Sequence, residues 1–160
     1  AQKDLIRRRL LGRGLELVRV GDVGRDLTLT ADGTDLAMVD GIAKTIPDLE
    51  VDDPTGDAKV LVIGWGSTFG PIGAACRLVR DGGGKVAQAH LRHLNPFPAN
   101  TGDILKRYDR VIVPEMNLGQ LCMLLRAKFL VDAISYNQVR GMPFKSHELE
   151  AVIKDVISNV

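Results

Sequence analysis

From Lys59 onward the chain alternates between short apolar runs and amphipathic stretches, and the hydrophobic period changes at each switch. Val60–Ile63 is a continuous apolar run, the pattern of a strand covered on both faces. After the glycine-rich loop 64–70, Ile72, Ala75, Cys76 and Val79 recur at helical spacing. Pro71 stands near the start of that helix, where a missing N–H costs little, and Gly82 is placed to end it. Lys85–Leu91 predicts a second strand. Its exit, Asn95-Pro96-Phe97-Pro98, fits neither helix nor ladder, because both prolines lack a donor. Thr101 is expected to cap a short helix with Asp103 in its first turn. Val111–Val113 predicts a third strand, and Leu118–Val131 an apolar helix through Leu121, Cys122, Leu125 and Phe129. Ala133–Val139 predicts a fourth strand, broken by Gly141-Met142-Pro143. Ser146 is expected to cap a last helix with Glu148 and Glu150 near its positive end. Strands and helices in alternation, with short connections, predict an α/β fold with a mainly parallel sheet flanked by helices.

The first 47 residues have a different texture. Leu15–Val20 and Asp26–Thr30 read as short strands between turns at Gly21-Asp22 and Asp32-Gly33, and Asp35–Thr45 as a short helix. Glu50–Asp57, acidic and rich in Pro and Gly, reads as a linker. The expected division is an N-terminal extension over 1–47, a linker over 48–58 and an α/β domain over 59–160. There is no internal repeat and no low-complexity tract.

Composition narrows the picture. A chain of 160 residues with 45% hydrophobic content buries roughly 70% of its unfolded surface in one core. Lys and Arg number 21 and Asp and Glu 20, a balance that gives no electrostatic argument for nucleic acid or a membrane surface. Arg7-Arg8-Arg9 reads as a solvated face or a disordered start. No run approaches the ~18 apolar residues of a membrane span, and the start lacks a secretory pattern. Cys76 and Cys122, the two cysteines, read as reduced core thiols of a cytoplasmic protein, with a disulfide between them as the lesser alternative. Two thiolates do not by themselves hold an iron–sulfur cluster, which takes about four. The N-terminal Ala in place of Met reads as a fragment or a processed chain.

The loop Gly64-Trp65-Gly66-Ser67-Thr68-Phe69-Gly70 lies where a helix start offers N–H donors to a phosphate. Its spacing is G-x-G-x-x-x-G, one residue longer than the dinucleotide fingerprint. The second strand ends His90-Leu91-Arg92-His93, without the acid that holds ribose hydroxyls. A P-loop is excluded by the missing G-K-[ST]. Glycines that let the strand turn and the helix pack close are the better account. His90 and His93 have no nearby Cys partner for a metal. Ser67 lacks the G-x-S-x-G elbow of a nucleophile and reads as a helix cap. Glu115 and Asn117 follow the third strand at a carboxyl end, where α/β proteins bind ligands; binding or contact work and helix capping both remain open. No self-contained catalytic constellation is visible.

The order of four motifs adds to this. Gly64-Trp65-Gly66-Ser67, Leu94-Asn95-Pro96-Phe97-Pro98, the run Val113–Leu121 with Glu115, Asn117 and Gln120, and Arg140-Gly141-Met142-Pro143-Phe144 resemble, in this order, the C-terminal region of the alpha subunit of 2-oxoacid:ferredoxin oxidoreductases. The likeness is greatest to the 2-oxoglutarate enzyme (2-oxoglutarate synthase) of actinobacterial type and covers residues 38–157. It implies a fold like the C-terminal domain of transketolase. It also implies an enzyme that decarboxylates a 2-oxoacid on thiamine diphosphate, passes electrons through iron–sulfur clusters to ferredoxin, and passes the acyl group to coenzyme A. In that family thiamine diphosphate, Mg2+ and the [4Fe-4S] cluster sit chiefly in the beta subunit of a hetero-oligomer, expected as alpha2beta2. This chain then carries no catalytic residue and no metal. Gly64, Gly66, Ser67, Glu115, Asn117 and Gln120 would shape the subunit contact and the edge of the cofactor cleft. Residues 1–37 resemble neither the pyrimidine-side domain nor the gamma-type domain and are too few for either. Two other readings stay open: a stand-alone nucleotide-binding protein using the Gly64–Gly73 loop, and an interaction module docking through Leu118–Val131.

Overall fold

The computed structural model describes residues 45–160, Ile42 and the two short strands 16–17 and 29–30. The chain divides into two compact units, 1–46 and 47–160. In the first, β1 (Glu16–Leu17) pairs antiparallel with β2 (Leu29–Thr30), Leu17 opposite Leu29. Both lie inside the expected strands. The expected turns at 21–22 and 32–33, the basic cluster 7–9 and most of the helix expected over 35–45 lie outside the described residues.

The second unit is built on a five-stranded sheet in the order β3-β5-β4-β6-β7. β4 (Val60–Trp65) is central, with β5 (Val86–Leu91) on one side and β6 (Arg110–Glu115) on the other, all parallel. β7 (Ala133–Asn137) continues the parallel sheet beyond β6. Alternation along these strands sorts side chains to two cores. Val60, Val62, Val86 and Ile112 meet α1 (Phe69–Asp81) and α4 (Ser146–Ser158) through Ile72, Val79, Leu149 and Ile153. Leu61, Ile63, Ala87 and Val113 meet α2 (Thr101–Leu105) and α3 (Gln120–Phe129) through Leu105, Leu121 and Leu125. Burying each large aliphatic side chain contributes about 1.5–3 kcal/mol, so a central strand apolar on both faces anchors both layers. The α/β class with a mainly parallel sheet flanked by helices is what the periodicity predicts.

Several local expectations are corrected. Residues 48–58, expected as a linker, are folded onto the sheet. They carry β3 (Val51–Asp52), which pairs antiparallel with β5, Val51 opposite Ala89. Leu49 is buried, and its backbone N–H and C=O are both held by the Asn100 side chain at 2.8 and 3.0 Å. Arg80 donates to the Asp52 carboxylate at 2.8 Å and the Asp52 carbonyl at 2.7 Å. Thr101 does not cap α2. It is the first helical residue, and its hydroxyl donates to Pro98 O at 2.7 Å. Ser146 is likewise the first residue of α4 rather than its cap. The helix expected over 118–131 is shortened at both ends by left-handed residues, Gly119 at φ 89° and Leu130 at φ 55°. α1, by contrast, ends where the sequence predicts, at Asp81 with Gly82 as its C-terminal cap, and Gly83 takes the left-handed position (φ 83°). Gly84 N–H reaches Val79 O and Gly83 N–H reaches Arg80 O, a Schellman termination. Among the described residues no helix is long and apolar enough to cross a membrane.

Candidate functional site

The chain leaves β4 for β5 on one side and later returns to β6 on the other, so the carboxyl ends of β4 and β6 form the switch point where open α/β sheets bind ligands. The sequence-predicted residues gather here. Gly64 is the fifth residue of β4. A Cβ on it would run into Ile72 Cδ1 and stand 2.5 Å from Thr68 Oγ1, so only glycine lets α1 pack this close. Gly66 adopts φ 58° and opens a 3-10 turn (Gly66–Thr68) before α1. Ser67 is exposed in that turn and makes no cap. The hydroxyl that holds the turn is Thr68's, which accepts Trp65 N–H at 3.1 Å and donates to Trp65 O at 2.8 Å.

Glu115, the last residue of β6, is 0% exposed. Its Oε1 accepts Leu121 N–H at 2.9 Å and its Oε2 accepts Cys122 N–H at 3.0 Å, which satisfies two orphan donors of the first turn of α3. The Trp65 indole N–H points to the same Oε1 at 3.4 Å, tying the β4 exit to the β6 exit. Asn117 Oδ1 accepts Gly119 N–H at 2.7 Å and Gln120 N–H at 3.3 Å. Gly119 is also held by space, since a Cβ there would stand 2.9 Å from Ser135 Oγ. Of the two readings open for Glu115 and Asn117, capping is the one their hydrogen bonds perform. Gln120 contributes its backbone; its side chain is exposed. The structure thus joins Glu115 to Trp65 and Asn117 to Gln120, while Ser67 bonds to none of them.

Sequence reasoning missed Trp65 and Thr68. Nothing in the spacing singles out an indole as the partner of a glutamate fifty positions away. Thr68 differs from Ser67 only in which hydroxyl the 3-10 turn points inward. The thiols are sequestered: burial pushes Cys76 up to about 12 and raises Cys122 as well. His90, on β5, lies edge-on to Phe69 with ring centroids 5.0 Å apart. Burial, with Arg92 as a second cause, holds its imidazole below the ordinary histidine range. Among the described residues no cluster of three His, Cys, Asp or Glu could hold a metal ion.

These bonds tie the exits of β4 and β6 to the start of α3, a seam within the sheet. The chain is 57% identical over 122 residues to the 2-oxoglutarate oxidoreductase subunit KorA of Mycobacterium tuberculosis, covering 76% of this chain and 18% of that protein. It is 36% identical over 121 residues to the alpha subunit of 2-oxoacid:ferredoxin oxidoreductase 2 of Aeropyrum pernix, covering 72% of this chain and 19% of that one. The chain therefore spans about a fifth of the length of these relatives. Its fold matches a solved 2-oxoglutarate:ferredoxin oxidoreductase from Magnetococcus marinus, which holds 2-oxoglutarate, coenzyme A and succinyl-CoA, with a TM-score of 0.69 at 24% identity over 89% of this chain and 28% of that one. Residues 58–152, which run from the approach to β4 well into α4 and include the whole switch point, match the pyruvate:ferredoxin oxidoreductase core domain II, and the chain belongs to that family.

Proposed function

We propose that this chain is the non-catalytic C-terminal domain of the alpha subunit of a thiamine-diphosphate-dependent 2-oxoglutarate (2-oxoacid):ferredoxin oxidoreductase of the cytoplasm. The observation that carries the reading is the 57% identity over 122 residues to a 2-oxoglutarate oxidoreductase subunit. In the assembled enzyme the 2-oxoacid is oxidatively decarboxylated to an acyl-CoA and ferredoxin is reduced. The residues described do not fit the groups this chemistry needs. Cys76 and Cys122 lie in opposite cores of the sheet, and no carboxylate or imidazole cluster is poised for Mg2+. Following the family resemblance, thiamine diphosphate, Mg2+ and the [4Fe-4S] cluster are assigned chiefly to the beta subunit of an alpha2beta2 assembly.

The domain's own contribution is a stiff contact face. Gly64, Gly66, Ser67, Glu115, Asn117 and Gln120 lie along the β4 and β6 exits, and Glu115 and Asn117 fix the start of α3. Around that helix Leu118, Met123, Leu124 and Leu130 are exposed, which suits an apolar subunit contact. The test is the complete alpha subunit, co-produced with its beta subunit and assayed for 2-oxoglutarate-dependent reduction of ferredoxin or viologen with coenzyme A present. Turnover is expected. An intact assembly without it overturns the reading.

A further inference from the structure

A cleft of about 720 Å3 opens between the first turns of α1 and the carboxyl end of β5, bordered by β3. It is separate from the Glu115 seam, and its inference does not rest on the function proposed above. Arg77, Arg92, Glu50, Phe69, Gln88 and His90 supply its chemistry. Gly73 lies beneath two of them: a Cβ there would stand in ordinary contact, 3.4 Å from Gln88 Nε2 and 3.6 Å from an Arg77 guanidinium nitrogen. A guanidinium from α1 and an amide from β5 thus converge over a residue with no side chain.

The polar groups of this cleft are unspent. Gln88 is only 8% exposed, yet its side chain makes no hydrogen bond among the described residues. The Nδ1 of His90 is buried without a partner. Buried polar atoms are ordinarily paired, and the His90 exception on this wall points to a missing partner. The charges are also sorted. Asp52 is engaged by Arg80, whereas Arg77 and Arg92 have no carboxylate within ion-pair distance among the described residues. A guanidinium fork suits phosphate oxygens. Phe69, 58% exposed at the cleft, offers an apolar ring face.

Glu50 completes the pattern. Val51 pairs with Ala89 and Asp52 with Gln88, so the antiparallel register carries Glu50 opposite His90, at the carboxyl end of β5. That is where nucleotide-binding α/β sheets place the acid that holds ribose hydroxyls. β5 itself ends without a carboxylate, and the antiparallel strand beside it brings one.

We infer that this cleft binds a nucleoside monophosphate. Its phosphate lies against Arg77 and Arg92, its diol against Glu50, and its base against Phe69, within reach of Gln88 and His90. Titration calorimetry on the full chain with AMP, adenosine and inorganic phosphate tests it. AMP should bind saturably, with a dissociation constant on the order of 0.1–1 mM, and more tightly than either fragment. The double variant Arg77→Ala/Arg92→Ala should weaken AMP by about tenfold or more, with an unchanged thermal melt because both side chains are exposed. Gly73→Ala, which puts a methyl group into the convergence point, should weaken it severalfold. Absence of saturable AMP binding up to about 10 mM overturns the inference. So does AMP binding no tighter than inorganic phosphate, or an affinity indifferent to all three substitutions.

Discussion

Replacing Glu115 by alanine should be the most damaging single change at the seam. Its carboxylate accepts Leu121 N–H at 2.9 Å and Cys122 N–H at 3.0 Å, and both bonds are buried. Alanine leaves both donors without a partner, and each buried unsatisfied N–H costs about 1–3 kcal/mol. The indole bond of Trp65 at 3.4 Å is long and adds little. Water entering the vacated space would return part of the loss, so the expected destabilisation is about 2–4 kcal/mol. For a chain of this size that lowers the melting temperature on the order of 10 °C. Glu115→Gln keeps one acceptor and opposes its amide N–H2 to a backbone N–H, so it should cost about 2 kcal/mol. Glu150→Ala is the control. It removes only a partly exposed i,i+4 pair to Lys154 at 2.7 Å, worth about 0.5 kcal/mol. Urea unfolding followed by the fluorescence of Trp65, the one tryptophan, reports all three. A Glu115→Ala cost below about 1 kcal/mol, or one equal to that of Glu150→Ala, would refute the claim that this carboxylate anchors α3. In the assembled enzyme the same order should hold for subunit association or turnover.

Gly64→Ala should destabilise by about 1–3 kcal/mol, because its methyl group runs into Ile72 and Thr68. Gly70→Ala, six residues on with nothing near the added carbon, should be neutral or stabilising by up to about 1 kcal/mol; equal costs at the two sites would contradict the packing. Cys76, buried and pushed up to about 12, should react with Ellman's reagent at pH 8 only through unfolding. Native labelling at a rate indifferent to urea would count against its burial. The Glu148 carboxyl is held below the ordinary glutamate value, first by the hydrogen bond from the Gln138 side chain and then by Arg140. Its contribution is therefore complete above the ordinary value and lost as pH falls through the depressed one. Gln138→Ala should move its NMR titration midpoint upward, and an unmoved midpoint would remove Gln138 as the cause.

The parallel sheet was legible because buried strands and amphipathic helices leave different periods. Val60–Ile63 and the spacing of Ile72, Ala75, Cys76 and Val79 admit few alternatives. The four ordered motifs made the family legible as well. What stayed hidden depends on pairing across the chain. β3 is two residues in an acidic stretch, and only the facing β5 makes it a strand. Ser146 and Thr101 have the chemistry of caps but begin their helices one position later. The seam was half legible: the positions of Glu115 and Asn117 marked a carboxyl end, but only the fold decides that their oxygens turn back onto α3. For the cleft, His90 was noticed without its neighbours, because Glu50 arrives from a segment that reads as a tether.

That short antiparallel strand also bears on solubility. Without it β5, an apolar strand through Val86, Ala87 and Ala89, would be the rim of the sheet, with a free row of amides and carbonyls ready to template other chains. β3 closes this rim with two residues and offers onward only two more, and Arg80 pins it there by the Asp52 carboxylate. Trimming the domain at the acidic stretch, as its Pro and Gly content invites, would remove this guard. The truncated protein would aggregate by edge-to-edge association before losing its helices.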